Sequence, residues 1–380
     1  MKAYVASHLK DMNRHIVYNL INELEVTSKA QISKMTGISA PTVIKIISFL
    51  AESGLIVELG EGKSSIGRKP HMLTLNKDMF YSAVFFLEGE LLDVGIADIA
   101  GTIKYKKTLR YKSNLGEILN RIASGLVDGL FAEAGIDLRK LMGIGIAIPG
   151  IYDPTIQTII TAPLVGVNEP VCISSQINEL EQKYGVQVLV ENDVNCQTYG
   201  EFKATKMSEN SDLLLISVGT GLGAGLILNG KLRHGVNYMC GEIGYMSFMD
   251  KYISGFNNPG WLENKVSLRV LEEKFGVSYG MDLEVMPQKE LDAILEYVSI
   301  PLALCICNIT MMLDCPNVRL SGVVADLLGN KLFDCINKKL TYMCINKIEV
   351  QSQSSKDIGL IGISAMLTEK HISQLLMERD

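Results

Sequence analysis

Long uninterrupted apolar runs are missing from this chain of 380 residues, and so is a basic-then-apolar leader, since it opens MKAYVASHLKDMNRH. The first absence argues against a membrane span and the second against a cleaved signal, so the protein is expected in the cytoplasm. Low-complexity tracts are absent too. With 47% hydrophobic residues and mixed charge, the chain belongs among ordinary globular proteins rather than disordered ones. At about 100–200 residues per domain it should hold two or three domains, each able to bury a core. Eight cysteines in this length imply no disulfide framework. Cys305-x-Cys307 lies in an apolar helical stretch, where buried free thiols are the better reading. A strong overall basic charge is also lacking. Residues 1–80, however, hold ten Lys/Arg against seven Asp/Glu, net +3, and the remainder 26 against 35, net −9. The asymmetry is small, but it points to a nucleic-acid contact at the N-terminal end.

Within residues 1–80, Ile16, Val17, Leu20, Ile21 and Leu24 follow one face of a helix. Ser28 can cap a second helix from about Lys29 to Thr36, ended by Gly37, which takes the left-handed turn conformation. Ser39 then caps a third helix, with Pro41 in its first turn and Val43, Ile46, Ile47 and Leu50 on its buried face. Small Ser33 lets the second and third helices approach. This spacing is that of a helix-turn-helix. Leu55–Leu59 and Met72–Leu75 read as two strands flanking a polar loop, a wing. The third helix would enter the major groove of double-stranded operator DNA with Ser39, Thr42 and Lys45 outward. Lys63, Arg68 and Lys69 on the wing tip would meet the backbone or minor groove. Singly, each of these is as well explained as a solvated surface residue; the ordered set carries the reading.

From Tyr81 the pattern changes. Val84–Leu87, a break, Leu92–Ala97 and a turn at Ala100-Gly101 form a hairpin. Leu213–Val218, the loop Gly219–Gly225, Leu226–Leu228 and the turn Asn229-Gly230 repeat it about 130 residues later. Two such lobes would enclose a cleft at the carboxyl ends of their strands. The glycine loop does not open a helix, so it is no dinucleotide fingerprint. It suits either a phosphate held by backbone N–H groups or a tight turn without ligand. Val186–Val190 leads into Glu191-Asn192-Asp193 and a helix, so Asp193 is either a site carboxylate or that helix's N-cap. Gly241-Glu242-Ile243-Gly244-Tyr245 and Gly260-Trp261-Leu262-Glu263 add carboxylates and flat rings, the means of holding sugar hydroxyls and C–H faces.

These residues together resemble, from end to end, the ROK family of bacterial repressors and sugar kinases, including its xylose- and glucose-responsive repressors. The resemblance rests on Gly67-Arg68-Lys69-Pro70, on Gly143-Ile-Gly-Ile-Ala-Ile-Pro149-Gly150 and on Glu191-Asn192-Asp193-x-Asn195. Gly219–Gly225, Gly241-Glu242-x-Gly244 and Glu263 complete it. It implies an α/β fold: an N-terminal winged helix-turn-helix over residues 1–80 and a two-lobed actin/hexokinase-like (ribonuclease H-like) sugar-kinase fold. The lobes would be 81–194, completed by a C-terminal helix at 357–380, and 195–356, carrying effector binding and oligomerisation. It further implies that Asn192, Asp193, Glu242 and Glu263 bind sugar hydroxyls, and that in the kinases the residue at Asp193 is the catalytic base.

Three departures separate this chain from the kinases. Phe86-Leu87-Glu88-Gly89-Glu90 stands where they carry an Asp-x-Gly-Gly-Thr phosphate loop, and acidic residues there repel ATP. Leu320-Ser321-Gly322-Val323-Val324 crowds the adenosine loop. The four family zinc positions hold Tyr245, Ser254, Phe256 and Trp261, leaving His234 and His371 as the large domain's histidines, so no metal and no cofactor are expected. Tyr245 either bonds a different sugar through its phenol or fills the site. The expected function is a sugar-responsive transcriptional repressor, a homodimer or a dimer of dimers, with no catalytic residues. A sugar kinase that also binds DNA, or a regulator with a vestigial cleft ruled by a protein partner, are the alternatives.

Overall fold

The computed structural model describes residues 6–61, 71–111, 114–249 and 260–377. The first helix, α1 (Ala6–Leu24), turns Val17, Tyr18 and Ile21 inward together with Arg14. Ile16, expected on that face, is instead 43% exposed. After β1 (Thr27–Ser28), the Ser28 hydroxyl accepts the Gln31 N–H at 3.3 Å and so caps α2 (Lys29–Thr36). Gly37, at φ 71°, ends that helix. Ser33 does more than let the helices approach: its hydroxyl donates to the Ile38 carbonyl at 2.6 Å and ties the turn. Ser39 precedes α3 (Ala40–Glu52) but makes no side-chain bond to the helix backbone. Its hydroxyl is 2.8 Å from that of Thr42, so the expected cap is replaced by a hydroxyl pair. Val43, Ile46, Ile47 and Leu50 are buried as the periodicity requires. β2 (Ile56–Glu61) and β3 (His71–Leu75) complete an antiparallel sheet in the order β1-β3-β2. Lys63, Arg68 and Lys69, between β2 and β3, lie outside the described residues.

Two five-stranded sheets follow. In the first, β4 (Tyr81–Glu88), β5 (Leu91–Asp98) and β6 (Ile103–Arg110) are antiparallel neighbours. Helices α4 (Leu115–Arg121) and α5 (Val127–Ala134) lead to β7 (Leu141–Ile148), which lies parallel to β4 on its other side. A small sheet of β8 (Ile151–Asp153), β9 (Thr158–Thr161) and β10 (Val171–Cys172), then α6 (Ser174–Tyr184), precedes β11 (Gln187–Asn192), parallel to β7. All eight residues of β7 are buried, as a central parallel strand covered on both faces demands. Helix α7 (Asp193–Ala204) crosses to the second sheet, built from β12 (Leu213–Val218), β13 (Leu222–Leu228) and β14 (Lys231–Leu232). After α8 (Glu263–Val266), α9 (Leu268–Phe275) and α10 (Gln288–Leu313) comes β15 (Asn317–Ser321). α11 (Val323–Met343) then leads to β16 (Glu349–Ser352), and β15 and β16 extend this sheet in parallel beyond β12. The orders β6-β5-β4-β7-β11 and β14-β13-β12-β15-β16 are the same plan used twice.

Among the described residues, α10 is the one helix long and apolar enough to cross a membrane, but 67% of its apolar window is buried. Its Leu295, Val298, Leu302 and Ile306 belong to the core over the second sheet, so the protein itself supplies its apolar surroundings. The last helix, α12 (Ile358–Met377), lies on β4 and β7 and crosses α7. Glycine makes that crossing possible. A Cβ at Gly200 would fall 1.8 Å from the Ile358 carbonyl oxygen, and one at Gly362 would fall 1.8 Å from that of Cys196. Further along, Ile372 and Leu376 of α12 enter the core of the N-terminal helices, where Arg14 donates to the Leu376 carbonyl at 2.7 Å. The N-terminal module is thus seated on α12.

Candidate functional site

At the junction of β11 and α7 the strand passes into the helix without a loop. Asn192 is the cap: its Oδ1 accepts the Asn195 N–H at 2.9 Å, while its Nδ2 donates to the Gly150 carbonyl at 3.0 Å. Asp193, weighed as that cap from the sequence, is instead the first helical residue, and its Oδ1 accepts the Val194 N–H at 2.9 Å. A helix N-terminus favours an ionised carboxylate. Burial outweighs it and, with Glu88 and Glu242 nearby, lifts the Asp193 carboxyl from 3.8 to about 8. Beneath lies Glu191, whose Oε1 takes the Asn192 N–H and the Asn195 amide, at 2.9 and 3.0 Å. Its Oε2 is 2.9 Å from Nε2 of His234, and this contact raises the histidine's pKa. His234 follows β14, so the pair joins the end of a first-sheet strand to the second sheet's edge. Sequence reasoning weighed His234 only as a spare metal ligand; no local signal tied it to Glu191, 43 residues away.

Glu242 and Tyr245 come from the loop after β14, and Glu263 is the first residue of α8. A Cβ at Gly241 would lie 1.8 Å from the Ala224 carbonyl oxygen, and one at Gly260 2.3 Å from that of Gly244, so both loops are pressed together onto β13. Burial, then Glu263, pushes Glu242 from 4.5 up to about 7. Burial also raises Glu263, against the Leu222 N–H that its Oε2 accepts at 3.1 Å. Tyr245 is 39% exposed, and its phenol is raised by burial and by both glutamates. The structure therefore gathers Asp193, Glu242, Tyr245 and Glu263 within electrostatic reach of one another, with Asn192 beside Asp193.

The neighbouring glycine loop is not an open phosphate cradle. Two of the N–H groups available for a phosphate are used: Gly219 donates to the Gly221 carbonyl at 2.9 Å and Leu222 to Glu263. The anion held there is the protein's own carboxylate. Gly223 and Gly225 serve packing, since a Cβ on Gly225 would lie 1.9 Å from the Thr198 hydroxyl of α7. Across the cleft, Gly89 and Glu90 make a two-residue turn between paired Glu88 and Leu91. Gly89 approaches the Thr220 side chain, and Glu88 faces Gly219. Burial raises the Glu88 carboxyl, as do Asp93 and Asp326 of α11, a second acidic neighbour that sequence reading missed. Phe86 points away from the loop into the core, its ring so close to Gly359 that a Cβ there would meet it at 2.2 Å. Gly322, at φ 89°, lies against the Val218 backbone.

At the family's zinc positions, a phenol at Tyr245 and the indole of Trp261, edge-on to Phe248 at 5.6 Å, supply no thiolate or imidazole. Ser254 and Phe256 lie outside the described residues. The donor set does not fit zinc. On α3, Ser39 and Lys45 are exposed and Thr42 is half-buried. Ile44, 51% exposed beside Lys45, was not anticipated.

These features define a class: two α/β lobes on one strand plan, a carboxylate-lined cleft between them and an N-terminal helical module. The model of the ROK family matches residues 89–370, and the chain belongs to that family. It is 32% identical to the xylose repressor of Bacillus subtilis over 253 residues, 66% of this chain and 62% of that protein. It is 26% identical to the DNA-binding transcriptional dual regulator NagC of Escherichia coli, over 63% of this chain and 58% of the other. The matched stretch is thus less than two thirds of the length of these relatives. A ROK family transcriptional regulator, homologous to the E. coli MLC protein, superposes over 97% of this chain and 98% of its own with a TM-score of 0.77 at 18% identity. A ROK glucokinase from Streptomyces griseus, solved with glucose and AMPPNP, superposes over 75% of this chain and 98% of its own with a TM-score of 0.60 at 22% identity. These likenesses show the actin/hexokinase-like fold.

Proposed function

We propose that this protein is a sugar-responsive transcriptional repressor: residues 1–80 form a winged helix-turn-helix that binds operator DNA, and the cleft binds the effector. One observation carries the reading. Carboxyl and amide groups able to bond hydroxyls gather around Asp193, while the adjoining glycine loop already bonds Glu263 and faces Glu88. A site so arranged suits a neutral polyol and disfavours a triphosphate. The names of the relatives, xylose repressor and N-acetylglucosamine repressor, point to the effector class. Asn192, Asp193, Glu242 and Glu263 would bond hydroxyls, with Tyr245 offering its phenol. On the DNA side, Ser39, Thr42 and Lys45 would face the major groove and Lys63, Arg68 and Lys69 the backbone or minor groove. A cytoplasmic dimer on a two-fold operator completes the reading.

Titration calorimetry with xylose, glucose and N-acetylglucosamine, and operator binding with and without the sugar that binds, test it. Asp193→Asn should weaken that sugar at least tenfold, about 1.4 kcal/mol, and leave sugar-free DNA binding unchanged. Silence toward every sugar sinks the sensor half and favours control by a protein partner. The kinase reading draws on Asp193 at the strand end, where a base would stand; sugar-dependent ADP release would establish it.

A further inference from the structure

An open groove of about 320 Å³ runs where α12, α7 and the end of β14 meet, and its His234 is the partner of Glu191 beneath Asn192. That volume is in the range of small-molecule pockets. Three structural units contribute. From α12 come Met366, Glu369, Lys370 and Ser373; from α7 comes Tyr199; Leu232 and His234 belong to the second sheet and the segment after it. The charges in this wall are unequally satisfied. Glu369 is paired with the Lys203 ammonium and accepts a hydrogen bond from the Tyr199 hydroxyl. His234 is held by Glu191. Among the described residues the Lys370 ammonium is the positive group in the wall without such a carboxylate, and the Ser373 hydroxyl stands one turn further along the same helix. The Tyr199 ring, Leu232 and Met366 give the rest of the wall an apolar character.

We propose that this groove is a second effector site, beside the sugar cleft, for a small organic acid. The carboxylate pairs with Lys370 and accepts from Ser373, and the apolar body lies against Tyr199, Leu232 and Met366. Such a ligand bridges α12 to the second sheet. Two residues past Lys370, α12 enters the core of the N-terminal helices through Ile372, and its Leu376 carbonyl holds Arg14. A molecule favouring one setting of α12 therefore biases the seat of that module. This regulatory consequence rests on the repressor reading; the binding site does not.

Benzoate and hexanoate, with their neutral amides as controls, are titrated calorimetrically into the full-length protein. The site predicts that both acids bind and the amides do not. Lys370→Glu, an exposed change that leaves the fold intact, should weaken the acids at least tenfold, Ser373→Ala by a smaller factor, and Asp193→Asn not at all. No binding of either acid at millimolar concentration overturns the proposal. So does acid binding that survives Lys370→Glu or is lost in Asp193→Asn. Acid binding by the unaltered protein together with silence toward every sugar refutes the cleft reading alone. If acids bind but leave operator affinity unchanged, the link through α12 is overturned and the site stands.

Discussion

The two sheets share strand order and direction, yet their first hairpins end in opposite ways. In the second sheet the chain leaves β12 through Gly219-Thr220-Gly221, and Leu222 returns bonded to a carboxylate brought from α8. In the first, Glu88 pairs directly with Leu91 and the connection is Gly89-Glu90 alone. One loop accepts an anion and the other presents one. Two facing loops that both donated would clamp a polyphosphate; a donor loop satisfied by Glu263 facing an acidic turn closes on itself instead. The scaffold has kept its duplicated architecture while the chemistry at its two equivalent corners has diverged.

The sharpest way to break this comparison is to restore the missing acid. Phe86→Asp would return the family's aspartate, but Phe86 is a core residue wedged against Gly359. Removing a buried Phe costs about 3–5 kcal/mol, and burying a charge in its place adds to that. Urea denaturation should therefore show a loss of at least this size, with no gain of sugar phosphorylation. A stable variant with ADP release would mean the first hairpin is one substitution from a phosphate loop. Next comes the α7–α12 crossing. Gly362→Ala sets a methyl 1.8 Å from a backbone carbonyl and should cost about 1–3 kcal/mol. Gly129→Ala in α5, with no atom within 4 Å, should stabilise by about 0.5–1 kcal/mol. Equal effects from the two would remove the steric account of the crossing.

The carboxylates give a smaller, pH-dependent signature. Asp193, raised from 3.8 to about 8, and Glu242, raised from 4.5 to about 7, hold protons in the folded state that the unfolded chain has released. Their stabilising contribution is complete below the unfolded values and disappears as pH climbs through the folded ones. Sugar-free protein should thus melt at progressively lower temperature between pH 5 and 9. Asp193→Asn with Glu242→Gln should flatten the slope. A wild-type melting temperature that is level or rising over that interval contradicts the buried placement of these groups.

Local rules made much of this legible in advance. Ser28, Gly37 and the apolar face of α3 follow from capping and periodicity, and the hairpin repeat follows from turn residues spaced alike. What local rules missed depends on distance. That Glu263 satisfies Leu222, 41 residues earlier, turned an apparent phosphate loop into a filled one, and the glycines that suggested a ligand proved to admit α7. Ile16 reads as core by period but faces outward, while Arg14 reads as surface and is buried by the C-terminal helix that reaches it from residue 376. Ser39 fits a cap, yet a nearby hydroxyl competes for it. In each case the deciding partner is remote or is one of two local options of similar energy.

The smallest expected effect concerns the N-terminal helices against the acidic remainder. Net charge gives the module little advantage, and Lys29 already pairs with Glu58 at 3.3 Å. Lys45 is exposed on α3, next to Ile44 and three residues beyond the Ser39–Thr42 hydroxyl pair. If it meets a phosphate, Lys45→Ala should weaken all DNA sequences alike and reduce the slope of log affinity against log salt by about one. If it reads a base edge, the loss should be confined to the operator and the slope should barely change. Binding to operator and scrambled duplex, measured over a salt series for both proteins, separates these outcomes. An unchanged affinity on both duplexes would remove α3's outer face from the DNA contact and leave the wing to carry it.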